Sequence, residues 1–158
     1  MAARESNTAD REMLATRLFN APRELVFKLW TDPQHITHWW GPHGFSTTTQ
    51  SMDLRPGGIW RFVMHGPDGT DYRNKIVFID VVKPERLVYR HASDDEDVEP
   101  VNFEVTVLFE DVGGKTRLSM QMLFPTPEEL QYVVEKYGAR EGQQQTLDRF
   151  EAFLATQV

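Results

Sequence analysis

Residues 101–124 read VNFEVTVLFEDVGGKTRLSMQMLF, and this stretch narrows most what the chain can become. Phe103, Val105, Val107 and Phe109 alternate with polar residues, Gly113-Gly114 follow, and Thr116, Leu118, Met120, Met122 and Phe124 alternate in turn. A period of two assigns side chains to opposite faces of a strand, and a glycine pair between two such runs marks a hairpin. The same period runs through most of residues 45–124. GIWRFVMHG sets Trp60, Phe62 and Met64 on one face and Arg61 and His65 on the other; PDGT supplies a turn; DYRNKIVFIDVV and RLVYRHA follow, parted by Pro84. About six strands joined by short turns form an antiparallel sheet with one strongly apolar face. That face has to be covered by something.

The cover is written in the flanks. MLATRLFN, residues 13–20, alternates as a first strand. APRELVFKLWT then carries Leu25, Val26, Leu29 and Trp30 at helical spacing behind Pro22. A second short helix opens at Asp32-Pro33, a capping residue followed by a first-turn proline. Ile36, Trp39 and Trp40 stand at i, i+3 and i+4, which places both indoles along one helical face until Gly41-Pro42 ends it. After the sheet, TPEE at 126–129 is a capping box. Two apolar stripes follow, Leu130, Val133, Val134 and Tyr137, then Leu147, Phe150, Phe153 and Leu154. They are out of phase by roughly 80°, with Gly138 and Gly142 between them, so the C-terminal helix is kinked or broken there.

The totals exclude several classes of function. A net charge of -7, from 17 basic and 24 acidic residues, argues against nucleic-acid and anionic-membrane partners, which need clustered Lys and Arg. The absence of cysteine removes disulfides and thiolate chemistry. The polar start MAARESNTAD lacks the apolar core of a signal peptide, and no apolar run is long enough for a membrane helix. These features lead us to expect one cytoplasmic domain over residues 12–158 behind a disordered polar tail over 1–11. His35, His38 and His43 invite a zinc hypothesis, but the first two lie off the apolar stripe and the third lies beyond the Gly-Pro reversal, so no metal is assigned. The acidic loop at 94–99 lacks the glycine and spacing of a calcium loop.

Six motifs in order, WWGP, DLRPGG, PDGT, KPERLVY, GGKTRLSM and YGAREGQQQTLDRFEAFL, give the chain a further resemblance. Over about residues 12–156 it resembles the bacterial members of the activator of heat-shock-protein-90 ATPase-like family, within the START-related superfamily. The resemblance implies an α+β helix-grip fold: a curved antiparallel sheet wrapped around a long C-terminal helix, with two short helices after the first strand closing one end. The superfamily hosts carriers, enzymes and partner-binding domains, so the fold alone selects no activity. A co-chaperone of this type carries a separate N-terminal domain and linker, and neither is found in this sequence. The family often has an aromatic after the second helix glycine, where this chain has Gln143, then Gln144 and Gln145.

On that frame the bulky inner face reads as the wall of an internal cavity. Trp60, Phe62, Met64, Tyr89, Phe103, Met120 and Met122 face a helix lined by glycine and glutamine where a packed core would hold leucine. Tyr72, Tyr89, Tyr137, Glu141 and Gln145 are the polar groups expected to reach the cavity. Trp39 and Trp40 would anchor the short-helix pair to the sheet, one of them also walling the pocket mouth. The expected function is non-enzymatic binding of a small hydrophobic molecule, with no catalytic residue and no cofactor. Two alternatives stand beside it: a partner-binding domain stimulating a chaperone ATPase, and a cyclase- or hydrolase-like enzyme using Tyr137 and Glu141 on an apolar substrate. The chain is expected to be a monomer or a homodimer paired along an exposed edge strand.

Overall fold

The computed structural model describes residues 8–93 and 103–157, residues 92 and 93 by their backbone alone. The acidic loop at 94–99 and most of the N-terminal tail lie outside these residues. Residues 9–11, expected within the tail, form a single 3-10 turn, and Arg11 donates to the Phe124 carbonyl at 2.7 Å.

Seven strands make one sheet: β1 (Glu12–Phe19), β2 (Ser46–Met52), β3 (Ile59–His65), β4 (Asp71–Val82), β5 (Arg86–Ser93), β6 (Phe103–Val112) and β7 (Lys115–Leu123). Their order is β1-β7-β6-β5-β4-β3-β2, every neighbouring pair antiparallel. The alternation that suggested the strands also sets their faces. Met13, Ala15 and Phe19 of β1 are buried while Leu14 and Leu18 point out, and Val105, Val107 and Phe109 of β6 are buried while Leu108 points out. The fold is therefore the expected α+β helix-grip architecture, with β5 as the middle strand.

Helices α1 (Arg23–Thr31) and α2 (Pro33–Ile36) follow β1. Val26, Phe27, Leu29 and Trp30 of α1 are buried, with Phe27 and Trp30 edge-on to Phe109 of β6. Asp32 caps α2 through its side chain, accepting from the Gln34 N–H at 2.9 Å. This helix is shorter than the spacing of Ile36, Trp39 and Trp40 suggests. It ends at Ile36, where Thr37 bonds back to the Pro33 carbonyl and the Trp39 N–H turns to Ile36 at 3.3 Å. Both indoles are still delivered inward, because the Trp40 N–H keeps a helical bond to the Ile36 carbonyl at 3.0 Å.

The C-terminal helix is broken, as its two stripes require. Thr126 caps α3 (Pro127–Tyr137) by accepting from the Glu129 N–H at 3.1 Å, and α3 ends at Gly138, where φ is 62°. A side chain in that left-handed conformation is strained, so Gly138→Ala should lower unfolding stability by roughly 1–2 kcal/mol in a denaturant titration. The break lets each segment satisfy its own stripe. Leu130 and Val133 of α3 pack with Met13 and Phe124, while Leu147, Phe150 and Leu154 of α4 (Ala139–Ala155) enter the main core. Arg17 of β1 ties the outer side of α4 through Asp148 at 2.7 Å and the Gln144 side chain at 2.9 Å.

Candidate functional site

The concave face of the sheet is filled at one end and open at the other. At the filled end an aromatic cluster grows from the short helices: Trp39 lies 4.8 Å from both Trp30 and Phe150, and Phe150 in turn lies 5.1 Å from Phe19. Trp39 has no exposed surface and donates its indole N–H to the Leu29 carbonyl at 3.1 Å. Trp40 takes the other direction, edge-on to Trp60 at 5.1 Å, with Trp60 stacked on Phe62 at 4.0 Å. The pair of tryptophans thus divides its work: Trp39 is core, and Trp40 covers Trp60 and Phe62 while presenting its own surface to the open end.

That open end is a pocket of about 340 Å³ between the sheet and the two C-terminal helices. Its floor is set by strand register. Tyr89 of β5 pairs with Val105 of β6, Val105 with Met122 of β7, and Met122 with Met13 of β1, forming one row; His91 and Phe103 form the next. Met64, Tyr72 and Asn74 extend the wall on β3 and β4, and Met120 completes it on β7. From the helix side come Val133 and Tyr137 of α3 and Ala139, Gly142, Gln143 and Thr146 of α4. Trp40, Gly41, Pro42 and Phe45 form the rim.

Arg149 fixes that rim. Its guanidinium donates to the carbonyls of Trp40, Gly41 and Pro42 at 3.0–3.3 Å and reaches that of His38 at 3.4 Å. Three carbonyls converge on one cation because Gly41, at φ 102°, turns the chain back on itself. A side chain there would also meet the Met64 methyl at 2.9 Å.

The structure brings together Trp40, Met64, Tyr72, Tyr89, Phe103, Met120, Met122 and Tyr137 around the pocket. It does not bring the others there. Trp39 is sealed in the core, and Trp60 and Phe62 share the concave face but lie behind Trp40. Glu141 is exposed, and Gln145 turns to the loop, its side-chain oxygen accepting from the His43 N–H at 3.1 Å. The glutamine at the pocket is Gln143, buried and donating to the Met120 carbonyl at 3.2 Å. Its position was readable, since Gln143 stands four residues before Leu147 on the stripe Leu147, Phe150, Leu154.

Among the pocket residues that the sequence reading missed, the most consequential is His91. It stands two positions after Tyr89 and so shares its face, the signal that could have found it. Its ring stacks on Phe103 at 4.8 Å, and its Nδ1 is buried without a hydrogen-bond partner. Burial lowers its pKa to about 4, so the imidazole is neutral near pH 7. The Tyr89 hydroxyl is likewise buried and unpartnered, and burial raises its pKa. Of the other histidines, His38 stacks on Phe153 and His35 lies 3.8 Å from Asp32. Among the described residues no group of three His, Asp or Glu side chains could hold a metal ion, and no helix is long and apolar enough to cross a membrane.

A curved antiparallel sheet gripping a C-terminal helix, with a pocket between them, defines the class: a helix-grip domain. Within it, the chain belongs to the family described as Activator of Hsp90 ATPase homolog 1-like protein, whose sequence model matches residues 20–155. Solved structures agree. A solution structure of an Arthrobacter aurescens protein, 26% identical, superposes with a TM-score of 0.88 over 94% of this chain and 88% of that one. A crystal structure from Mycobacterium smegmatis is 28% identical, with a TM-score of 0.84 over 96% and 95% of the two chains. One from Nitrosomonas europaea is 25% identical, with a TM-score of 0.82 over 94% and 97%. No curated protein sequence matches the chain.

Proposed function

We propose that this protein binds a small, largely apolar molecule in the pocket between the sheet and α4. The observation that carries the reading is the pocket itself: about 340 Å³, walled by Met13, Met64, Met120, Met122, Phe103 and Val105, inside a fold whose other end is packed ring against ring. Ligand sites are mostly apolar concavities of several hundred Å³, whereas protein interiors ordinarily leave little space larger than a water molecule. Flexible methionines on several strands suit a guest of irregular shape.

The neutral fluorophore N-phenyl-1-naphthylamine tests the reading. It should bind the purified protein with enhanced emission, and filling the pocket by Met120→Trp or Gly142→Leu should weaken binding by about tenfold or more. Gly142 suits this purpose because a Cβ added there meets only Pro42 Cβ, at 3.9 Å, and the rest of a leucine would extend into the pocket that Gly142 lines. Absent binding, or binding that both variants leave intact while still unfolding cooperatively, would remove the pocket as the site.

The family's description supports a second reading, a protein partner whose ATPase the chain stimulates. Titrating the purified chain into a bacterial Hsp90 and measuring ATP turnover decides it: an unchanged rate at saturating chain would set that reading aside.

A further inference from the structure

Apart from Tyr72, Tyr137 and the exposed Arg73, the polar side chains of the pocket wall fall into two sets. Gln143 donates to the Met120 carbonyl, the Asn74 amide to the Tyr72 carbonyl and the Thr146 hydroxyl to the Gly142 carbonyl, so each already has a partner within the protein. The Tyr89 hydroxyl and His91 Nδ1 have none. Among the described residues only one other buried side-chain polar atom, Trp30 Nε1, lacks a partner, and Trp30 is not in the pocket wall. Buried donors and acceptors without partners are rare in folded proteins, because burial removes the water that would otherwise satisfy them. Here two of them stand two residues apart on one face of the central strand, and both residues line the same pocket.

We propose that Tyr89 and His91 are the polar anchor of the pocket, and that its occupant is an amphiphile bearing one neutral oxygen function, a hydroxyl or a carbonyl, at its buried end. This rests on the ligand-binding reading above and narrows it to a chemical class. A tyrosine hydroxyl donates or accepts, and a neutral imidazole nitrogen does one or the other according to its tautomer. A guest hydroxyl can therefore accept from Tyr89 and donate to His91, and a guest carbonyl can accept from either. The rest of the wall near them, Val105, Phe103, Met120 and Met122, suits an apolar body. An ionised head is disfavoured there. Among the described residues no Asp, Glu or Lys lines the pocket, and Arg73, which does border it, is exposed, on the face of β4 opposite to Tyr72 and Asn74.

The experiment is displacement of N-phenyl-1-naphthylamine by four naphthalenes of similar size: 2-ethylnaphthalene, 2-naphthol, 2-acetylnaphthalene and 2-naphthoate, at pH 7.5. The two neutral oxygen compounds should bind about tenfold tighter than 2-ethylnaphthalene, and 2-naphthoate more weakly than either. Tyr89→Phe, which removes a single oxygen, should shrink the tenfold gap to less than about threefold, and His91→Phe, which keeps the stack on Phe103, should shrink it too. Equal affinity for 2-ethylnaphthalene and 2-naphthol would overturn the anchor and leave the pocket reading standing, as would a gap that survives both variants. Tightest binding of 2-naphthoate would overturn it in favour of a charged subsite at the rim. Displacement by none of the four would overturn the anchor and the pocket reading together.

Discussion

Trp39→Ala should lower the unfolding free energy by about 4 kcal/mol, a large part of the 5–15 kcal/mol typical of a domain. The indole has no exposed surface, touches the rings of Trp30, Trp40 and Phe150 at centroid distances of 4.8–5.6 Å, and satisfies the Leu29 carbonyl. Removing it deletes the packing of the ring and leaves a void that three aromatic neighbours, each held elsewhere, cannot close. It also strands a buried acceptor. Trp39→Phe keeps most of the ring contact and should cost roughly half as much. Trp40→Ala is the informative comparison. Its indole is buried on one side by Trp60 and borders the pocket on the other, so its loss enlarges a space that already exists. Its stability cost should be smaller, and the change should appear in fluorophore binding. Denaturant titration of the three variants checks this order. A Trp40→Ala cost equal to or above that of Trp39→Ala would mean that the division of roles between the two indoles is wrong.

What the sequence made legible here follows physical periodicity. A side chain's face on a strand is fixed by counting, so the concave set Trp60, Phe62 and Met64, and the inward-facing Phe103, Val105 and Met120 of β6 and β7, could be read directly. Depth could not. Trp60 and Phe62 share the face of Met64, yet they are packed away from the pocket because Trp40, from a different element, lies over them. Nothing local in GIWRF encodes that. Helix phase was legible where a stripe continued, as with Gln143 before Leu147, but the reading went instead to Glu141 and Gln145, which the turn geometry sends outward. The extent of α2 illustrates the converse: the spacing of Ile36, Trp39 and Trp40 describes where the side chains go, while Thr37 closes the helix at Ile36. His91 escaped for a different reason. In RLVYRHA it follows an arginine and reads as the polar end of a strand, although parity with Tyr89 puts it inside.

The position of His91 has a consequence for stability in mild acid. An unfolded chain protonates its histidine near the ordinary value of 6.5, whereas burial lowers the folded-state pKa to about 4. Above about pH 6.5 the ring is neutral in both states and the protein's stability is insensitive to it. As the pH falls from 6.5 toward 4, the unfolded chain gains a proton that the folded chain refuses, so stability declines, by up to about 1.4 kcal/mol per pH unit and roughly 3 kcal/mol across the window. Below pH 4 the folded ring protonates as well and the contribution levels off. Carboxylates begin to titrate in the lower half of this range, which makes pH 6.5–5 the informative part, and the quantity to measure is a difference. Urea titrations of the wild type and His91→Phe should show the wild type losing about 1.5 kcal/mol more than the variant between those two pH values. The variant retains a ring against Phe103, and the remaining four histidines are common to both proteins and cancel. Parallel pH profiles would mean that His91 takes up its proton in the folded state, with water or a counter-charge in the pocket stabilising the charged ring.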